Sequence, residues 1–195
     1  MLLAVATFSL SCVYDSTPPK TPAPVFKDLS QKGHVLNNFE VAHNKRDNNH
    51  YDALLDDNFT LYYTEGDVVG GSSQVQWGRS DDVALTSSLF ASVDKLSFDL
   101  SDPNGAWTET PAPGGLENWY AATVFYDFTI KMGDTTYIPN AGAKMQVTVR
   151  NAGTEAKPQW KLVELHDLGG SSFLKVTQMA RTKPTTYGEV KALFR

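Results

Sequence analysis

A short run near the end of the chain, Trp160-Lys-Leu-Val-Glu-Leu-His166, combines a carboxylate with an imidazole. If this run is a strand, Glu164 and His166 point to the same side, because side chains repeat every two residues. The same alternation places Trp160 and Leu162 on that side. A carboxylate beside an imidazole can perform general acid–base chemistry near neutral pH. The alternative for these two residues is a hydrogen-bonded pair at the rim of a sheet.

Patterns that would indicate other chemistry are weak. His43, Asp47 and His50 carry metal-ligating side chains, but their spacing crosses a predicted helix break. No third ligand as strong as the two histidines is evident. The Gly-Gly pairs at 70–71 and 114–115 lack the context of a phosphate-binding loop. No serine lies in a nucleophile elbow. The sequence therefore predicts neither a metal nor another cofactor.

The composition is that of one acidic domain of ordinary size. The 195 residues include 17 Lys+Arg and 22 Asp+Glu, which gives a formal net charge of −5. This balance argues against a nucleic-acid-binding protein, which needs a concentrated basic face. Hydrophobic residues make up 41% of the chain, enough for a real core, so the composition argues against global disorder.

The N-terminal residues indicate the compartment. Residues 2–11 are uncharged and mostly apolar, too short to cross a bilayer as a mature helix, and typical of the hydrophobic region of a secretory signal. With Cys12, the only cysteine, residues 1–12 resemble a bacterial lipoprotein signal, in which the cysteine is lipidated and becomes the new N-terminus. An ordinary cleaved signal and a frayed hydrophobic N-terminus are the alternatives.

A proline-rich stretch follows the cysteine. Four prolines between residues 13 and 24 favour an extended backbone, so residues 13–32 are predicted to be a tether. We therefore expect a protein of the bacterial cell envelope, on its periplasmic or extracellular side, whose contact with the membrane is the lipid anchor alone.

Helices are predicted first in the globular part. Apolar positions between Gly33 and Arg46 have helical spacing, and Asp47 is a candidate N-cap for a second helix. Residues 56–58 are predicted to form a turn before a strand at 59–64. Residues 65–78 are predicted to be a mobile loop, and Ser80 is the candidate N-cap of a third helix.

Long strands follow the helices. Between residues 119 and 132 the even positions are mostly apolar and the odd ones more polar, which predicts one buried and one wetter face. Further strands are expected at 95–100, 142–150 and 159–168, while prolines and glycines argue against a strand across 101–118. A short helix is expected within 186–194. Helices grouped before a meandering sheet predict an α+β fold.

Three stretches, in this order and spacing, resemble the nuclear transport factor 2-like superfamily, which includes SnoaL-type polyketide cyclases and ketosteroid isomerases. They are residues 39–59 around Arg46-Asp47, Trp77-Gly-Arg-Ser80, and the run 160–166. The resemblance implies a cone-shaped α+β fold over residues 33–170, with N-terminal helices packed on a strongly curved antiparallel sheet. Residues 171–195 are then a C-terminal extension.

The resemblance also implies a ligand cavity between the concave sheet face and the helices. Tyr126, together with Tyr62 or Tyr63, is expected to supply phenol donors from the strands. Trp77 and Arg79 are expected to cover the opening of the cavity. The catalytic set of ketosteroid isomerases, an aspartate base with a tyrosine and a protonated acid, cannot be placed, so catalytic residues stay unknown. The candidate ligand-binding residues are Glu164, His166, Tyr126, Tyr62, Trp77, Arg79 and Trp160.

Two functions stay open. One is a non-catalytic, envelope-tethered domain that binds a small apolar ligand or a protein partner; the other is an isomerase, dehydratase or cyclase using acid–base chemistry. A cavity lined by Glu164, His166 and Tyr126 would favour the enzyme, whereas a cone filled by its own side chains would favour partner binding. The outer sheet face, with Thr123, Phe125 and Thr129, is a candidate homodimer surface.

Overall fold

The computed structural model describes residues 25–65, 73–101, 106–114, 118–139, 142–169 and 181–194. The helices are α1 (Lys32–Lys45), α2 (Asn48–Leu54), α3 (Arg79–Ser92) and α4 (Tyr187–Ala192). The strands are β1 (Leu55–Glu65), β2 (Ser73–Gly78), β3 (Lys95–Ser101), β4 (Thr108–Pro111), β5 (Asn118–Met132), β6 (Thr135–Pro139), β7 (Lys144–Asn151), β8 (Trp160–Asp167) and β9 (Arg181–Thr185).

The described strands form one curved sheet, which confirms the predicted α+β cone. Its order is β2-β1-β8-β7-β5-β6-β9, and β3 and β4 pair with β5. The pairs are antiparallel except β1 with β8 and β6 with β9, which are parallel. The predicted antiparallel sheet is therefore correct apart from these two pairs.

The alternating pattern of β5 separates the two faces of the sheet. Val124, Tyr126 and Phe128 are buried, whereas Thr123 and Phe125 are exposed. This confirms the predicted period of two, because only the side chains on the concave face meet the helices.

Helix α2 begins where the sequence predicts. The Asp47 side chain accepts a hydrogen bond from the His50 backbone N–H at 3.0 Å, so it caps α2 as expected. Between α1 and α2, Arg46 adopts a left-handed conformation with φ 54°. Its guanidinium donates to the Val93 carbonyl at 2.7 Å, which ties the helix break to the end of α3.

Strand pairing overrides several local predictions. Residues 56–58, predicted as a turn, lie in β1, where the pairing with β8 is irregular between Leu55 and Thr60. Strand β2 falls inside the predicted 65–78 loop, and β4 falls inside 101–118, where no strand was expected. Gly78 rather than Ser80 caps α3. In each strand the partner strand supplies hydrogen bonds that local sequence does not reveal.

Part of the predicted tether belongs to the domain. Phe26 and Leu29 pack against the core, and the Leu29 carbonyl accepts a hydrogen bond from the Trp160 N–H at 2.8 Å. The predicted signal segment with Cys12 lies outside the described residues. In the described part of the chain, no helix is long and apolar enough to span a membrane.

Candidate functional site

The C-terminal helix α4 occupies the concave side of the sheet. It is capped locally, because the Thr186 hydroxyl accepts from the Glu189 N–H at 3.2 Å and the Glu189 carboxylate accepts from the Thr186 N–H at 2.8 Å. Tyr187, Val190 and Lys191 are at most 1% exposed. Residues 187–192, assigned to an extension by the sequence analysis, are therefore part of the core.

A β-bulge in β8 decides which side chains face the cone. Leu162 pairs with Val149, but Glu164 pairs with the adjacent Thr148, so Val163 is an extra residue. After the bulge, Leu165 is buried on the concave side. The prediction that Glu164 and His166 share a face with Leu162 is wrong, because the bulge reverses the alternation.

Three of the predicted site residues do meet, but on the outer face. The His166 ring stacks on Tyr62 with centroids 4.3 Å apart, and its Nε2 atom lies 3.4 Å from Glu164 Oε2. The Glu164 and His166 side chains are about one quarter exposed, at 28% and 27%. This geometry matches the hydrogen-bonded rim pair named as the alternative.

Tyr126 lies on the opposite, concave side. Its hydroxyl donates to Asp167 Oδ1 at 2.9 Å, and Asp167 Oδ2 accepts the Gly188 N–H at 2.7 Å. Burial raises the pKa of the Asp167 carboxyl, and burial beside that carboxylate raises the pKa of Tyr126. Both side chains hold the N-terminal turn of α4 in place.

The other predicted site residues do not line a shared cavity. Trp77 is buried against Tyr63. Arg79 forms ion pairs with Asp52 at 2.8 Å and Asp57 at 3.1 Å, so it joins α3 to α2 and β1 rather than covering an opening.

Trp160 lies apart from these residues, at the start of β8. Its ring meets the Tyr120 ring edge-on at 5.4 Å, and the Lys32 ammonium lies above both rings. It therefore packs beside the start of α1 and does not reach the pair formed by Glu164 and His166.

Sequence reasoning missed a buried polar network beneath α4. The Lys191 ammonium forms an ion pair with Asp82, and the Tyr51 hydroxyl donates to the other oxygen of Asp82 at 2.6 Å. His43 Nε2 lies 2.7 Å from Tyr187 Oη. His43, a titratable residue on the apolar stripe of α1, was the one sequence signal for this network. Asp82 and Lys191 are 109 residues apart, and nothing in the sequence linked them.

The protonation of this network follows from its contacts. His43 Nδ1 lies 2.7 Å from the Phe39 carbonyl oxygen, so Nδ1 carries the proton and Nε2 accepts from the Tyr187 hydroxyl. Burial, with the Lys191 charge nearby, lowers the pKa of His43 to about 3. Burial also lowers the pKa of Lys191, while the Asp82 carboxylate raises it. The imidazole is therefore neutral and has no path to solvent.

The apolar end of the cone is closely packed. Side chains of α1, β7 and β8, among them Phe39, Met145 and Leu165, leave no room for a water molecule between them. Open grooves among the described residues include one of about 320 Å³ beside Trp77 and α3, and one of about 450 Å³ on the outer face near Thr123. Within the described ranges, no three His, Cys, Asp or Glu side chains are grouped as a metal site.

Comparisons with known proteins address the fold. No family model and no curated protein match the sequence. Among solved structures, a nuclear transport factor 2-like superfamily protein from Salmonella enterica is 14% identical, with 75% of this chain and 94% of that chain covered and a TM-score of 0.50. A candidate scytalone dehydratase from Novosphingobium aromaticivorans is 9% identical, with 76% and 87% covered and a TM-score of 0.50. The chain therefore has the nuclear transport factor 2-like fold.

Proposed function

We propose that this chain is a non-catalytic binding domain, tethered at the bacterial cell envelope by a lipid on Cys12, whose partner is a second copy of itself. The observation that carries the proposal is the position of α4, whose Tyr187, Val190 and Lys191 side chains are buried inside the cone. At the apolar end, α1, β7 and β8 leave no room for a water molecule. A filled interior favours a protein partner on the surface over a small apolar ligand inside.

The charges of the outer face fit a two-fold dimer. Asp99 pairs with Asp127 across β3 and β5, and Lys95 pairs with Lys131 four residues along, all four side chains being exposed. Like charges directly opposite each other are unfavourable within a sheet. A two-fold axis near Thr129 would place the acidic pair of one copy opposite the basic pair of the other, about 13 Å along the strands.

Phe125 lies on the same face and adds apolar surface. Its side chain is 56% exposed and lies two residues from Asp127, at the acidic end of the charged surface. Burial of such a ring at a dimer interface is favourable, and aromatic residues are enriched in interface cores.

Sedimentation velocity with charge-reversed variants tests the dimer. The wild type is expected to form a dimer that weakens at high salt. Asp99→Lys/Asp127→Lys and Lys95→Asp/Lys131→Asp should each be monomeric alone, because each face then carries one sign of charge. Mixed in equal amounts, the two variants should form a heterodimer. A wild type that stays monomeric at high concentration would contradict this proposal.

The anchor needs a separate test. In a bacterial host, the wild type should fractionate with membranes, and mass spectrometry should find a mature N-terminus at Cys12 that carries fatty acyl groups. Cys12→Ala should appear in the soluble envelope fraction instead. An unmodified N-terminus at another residue would indicate an ordinary cleaved signal.

The enzyme alternative is an isomerase, dehydratase or cyclase working by acid–base chemistry inside the cone. It draws on the titratable groups there, His43, Asp82 and Asp167, all of which are buried. Each of these groups contacts α4, so a substrate that reached them would displace this helix. A small molecule that accelerates hydrogen exchange of the α4 amides in the wild type would therefore favour the enzyme over the non-catalytic binding domain.

A further inference from the structure

The interior of the cone encloses one ammonium group completely. The Lys191 Nζ atom pairs with Asp82 Oδ1, lies 3.4 Å from Tyr51 Oη, and is 5.3 and 5.1 Å from the ring centres of Tyr51 and Tyr187. All four side chains are at most 1% exposed. The ammonium therefore has a carboxylate, a hydroxyl and two aromatic faces as its surroundings.

The site is specific for a charged donor. Asp82 Oδ2 already accepts the Tyr51 hydroxyl at 2.6 Å, so Lys191 supplies the partner of the remaining oxygen. Aromatic faces attract cations, and this attraction is strongest where water is excluded. A buried carboxylate without a cation would bear the full free-energy cost of desolvation. An apolar group in place of the ammonium would therefore leave Asp82 without a partner for its charge.

The shape of the site is that of an unbranched chain. The methylene groups of Lys191 lead to the ammonium from the backbone of α4 and are enclosed along their whole length. Stability alone does not require this arrangement, since well-packed apolar side chains often replace a buried ion pair without loss. The Lys191 side chain thus fills a narrow space, called the channel below, that ends between Asp82 and the two tyrosine rings.

We infer that Asp82, Tyr51 and Tyr187 form a binding site for a primary alkylammonium ion, which Lys191 occupies from within the same chain. The ligand class is an unbranched primary alkylamine. The inference goes beyond the proposed function, which uses only the outer face of the sheet and the lipid anchor.

Chemical rescue of the full chain tests the site. Lys191→Ala removes the atoms that n-propylammonium would replace, and it leaves Tyr51, Asp82 and Tyr187 in place. The variant should melt at a lower temperature than the wild type, and n-propylammonium chloride should raise its melting temperature saturably. At ten times the dissociation constant, the unfolding equilibrium constant should fall about elevenfold.

Matched ligands and variants make the result decisive. Propan-1-ol has the same chain without the charge, and tetramethylammonium has the charge without N–H donors, so neither should stabilise Lys191→Ala. Lys191→Met fills the channel, and Asp82→Asn/Lys191→Ala lacks the carboxylate, so neither should respond to propylammonium. If Lys191→Ala does not fold alone, propylammonium should restore its refolding yield and propan-1-ol should not. Equal effects of amine and alcohol, or no rescue, would overturn the inference.

Discussion

Gly188→Ala is expected to push α4 away from β1 and to lower the free energy of unfolding by about 3 kcal/mol. A Cβ atom at residue 188 would lie 2.4 Å from the Cβ and 2.6 Å from the Cγ of Tyr63. These atoms are fixed to the β1 backbone and cannot swing aside as the end of a flexible side chain would. The helix must therefore move by about an ångström or more.

Other contacts of Gly188 would be lost with that movement. Its N–H donates to Asp167 Oδ2 at 2.7 Å, and Asp167 in turn accepts the Tyr126 hydroxyl. The opposing gain is small, because alanine in place of glycine favours a helix by only about 1 kcal/mol. Overpacking therefore outweighs helix propensity at this position.

Urea unfolding and hydrogen exchange of the α4 amides measure the effect. Gly78→Ala is the matched control, because a Cβ there meets nothing within 4 Å and the residue lies at the N-cap of α3. The control should lose only about 1 kcal/mol or less, because alanine is a poorer N-cap than glycine but meets no steric clash there. If Gly188→Ala were as stable as the control, with α4 still protected, the close packing of α4 on Tyr63 would be disproved.

Lowering the pH below about 6.5 is expected to destabilise the fold steeply because of His43. Its pKa of about 3 in the folded chain is below the ordinary value of 6.5. Between these two values the unfolded chain binds more protons than the folded chain. For this one group, the free energy of unfolding is therefore at its full value above pH 6.5. It falls by roughly 1.4 kcal/mol for each pH unit below that value.

Urea unfolding between pH 7.5 and 5 tests this slope before carboxylates with ordinary pKa values begin to titrate. His43→Gln keeps a donor for the Phe39 carbonyl and an acceptor for the Tyr187 hydroxyl but does not titrate, so it should lose the part of the slope that His43 contributes. Any slope that is left comes from other groups, such as the buried carboxyl of Asp167, whose pKa is raised. His50→Gln, at a half-exposed position, is the matched control for replacing an imidazole outside the core. A wild type as stable at pH 5 as at pH 7 would show that His43 is not sealed in the core.

The filled cone changes how the polar interior is interpreted. His43, Asp82 and Asp167 contact α4 directly or through Tyr187 and Tyr126. They act in this structure as the receptor for a helix of the same chain. A filled cone leaves the outer face of the sheet as the proposed partner surface.

Local patterns were sufficient for the four helices and for five of the strands, in their order, but not for β2, β4, β6 and β9. The alternation of β5 predicted its buried face, because a strand between a core and solvent must alternate. Asp47 predicted the start of α2, because a carboxylate cap satisfies backbone donors two or three residues away. The three motif stretches, taken in order, indicated the cone-shaped fold that the solved structures share.

The candidate site depended on contacts that local patterns do not contain. The bulge at Val163 arises from the pairing of β8 with its neighbours, and one extra residue moved Glu164 and His166 to the outer face. The ion pair of Lys191 with Asp82 joins residues 109 positions apart, and only the packing of α4 into the cone brings them together. Side-chain spacing along one strand or helix is a local property, whereas the partners of a buried charge are set by the whole fold.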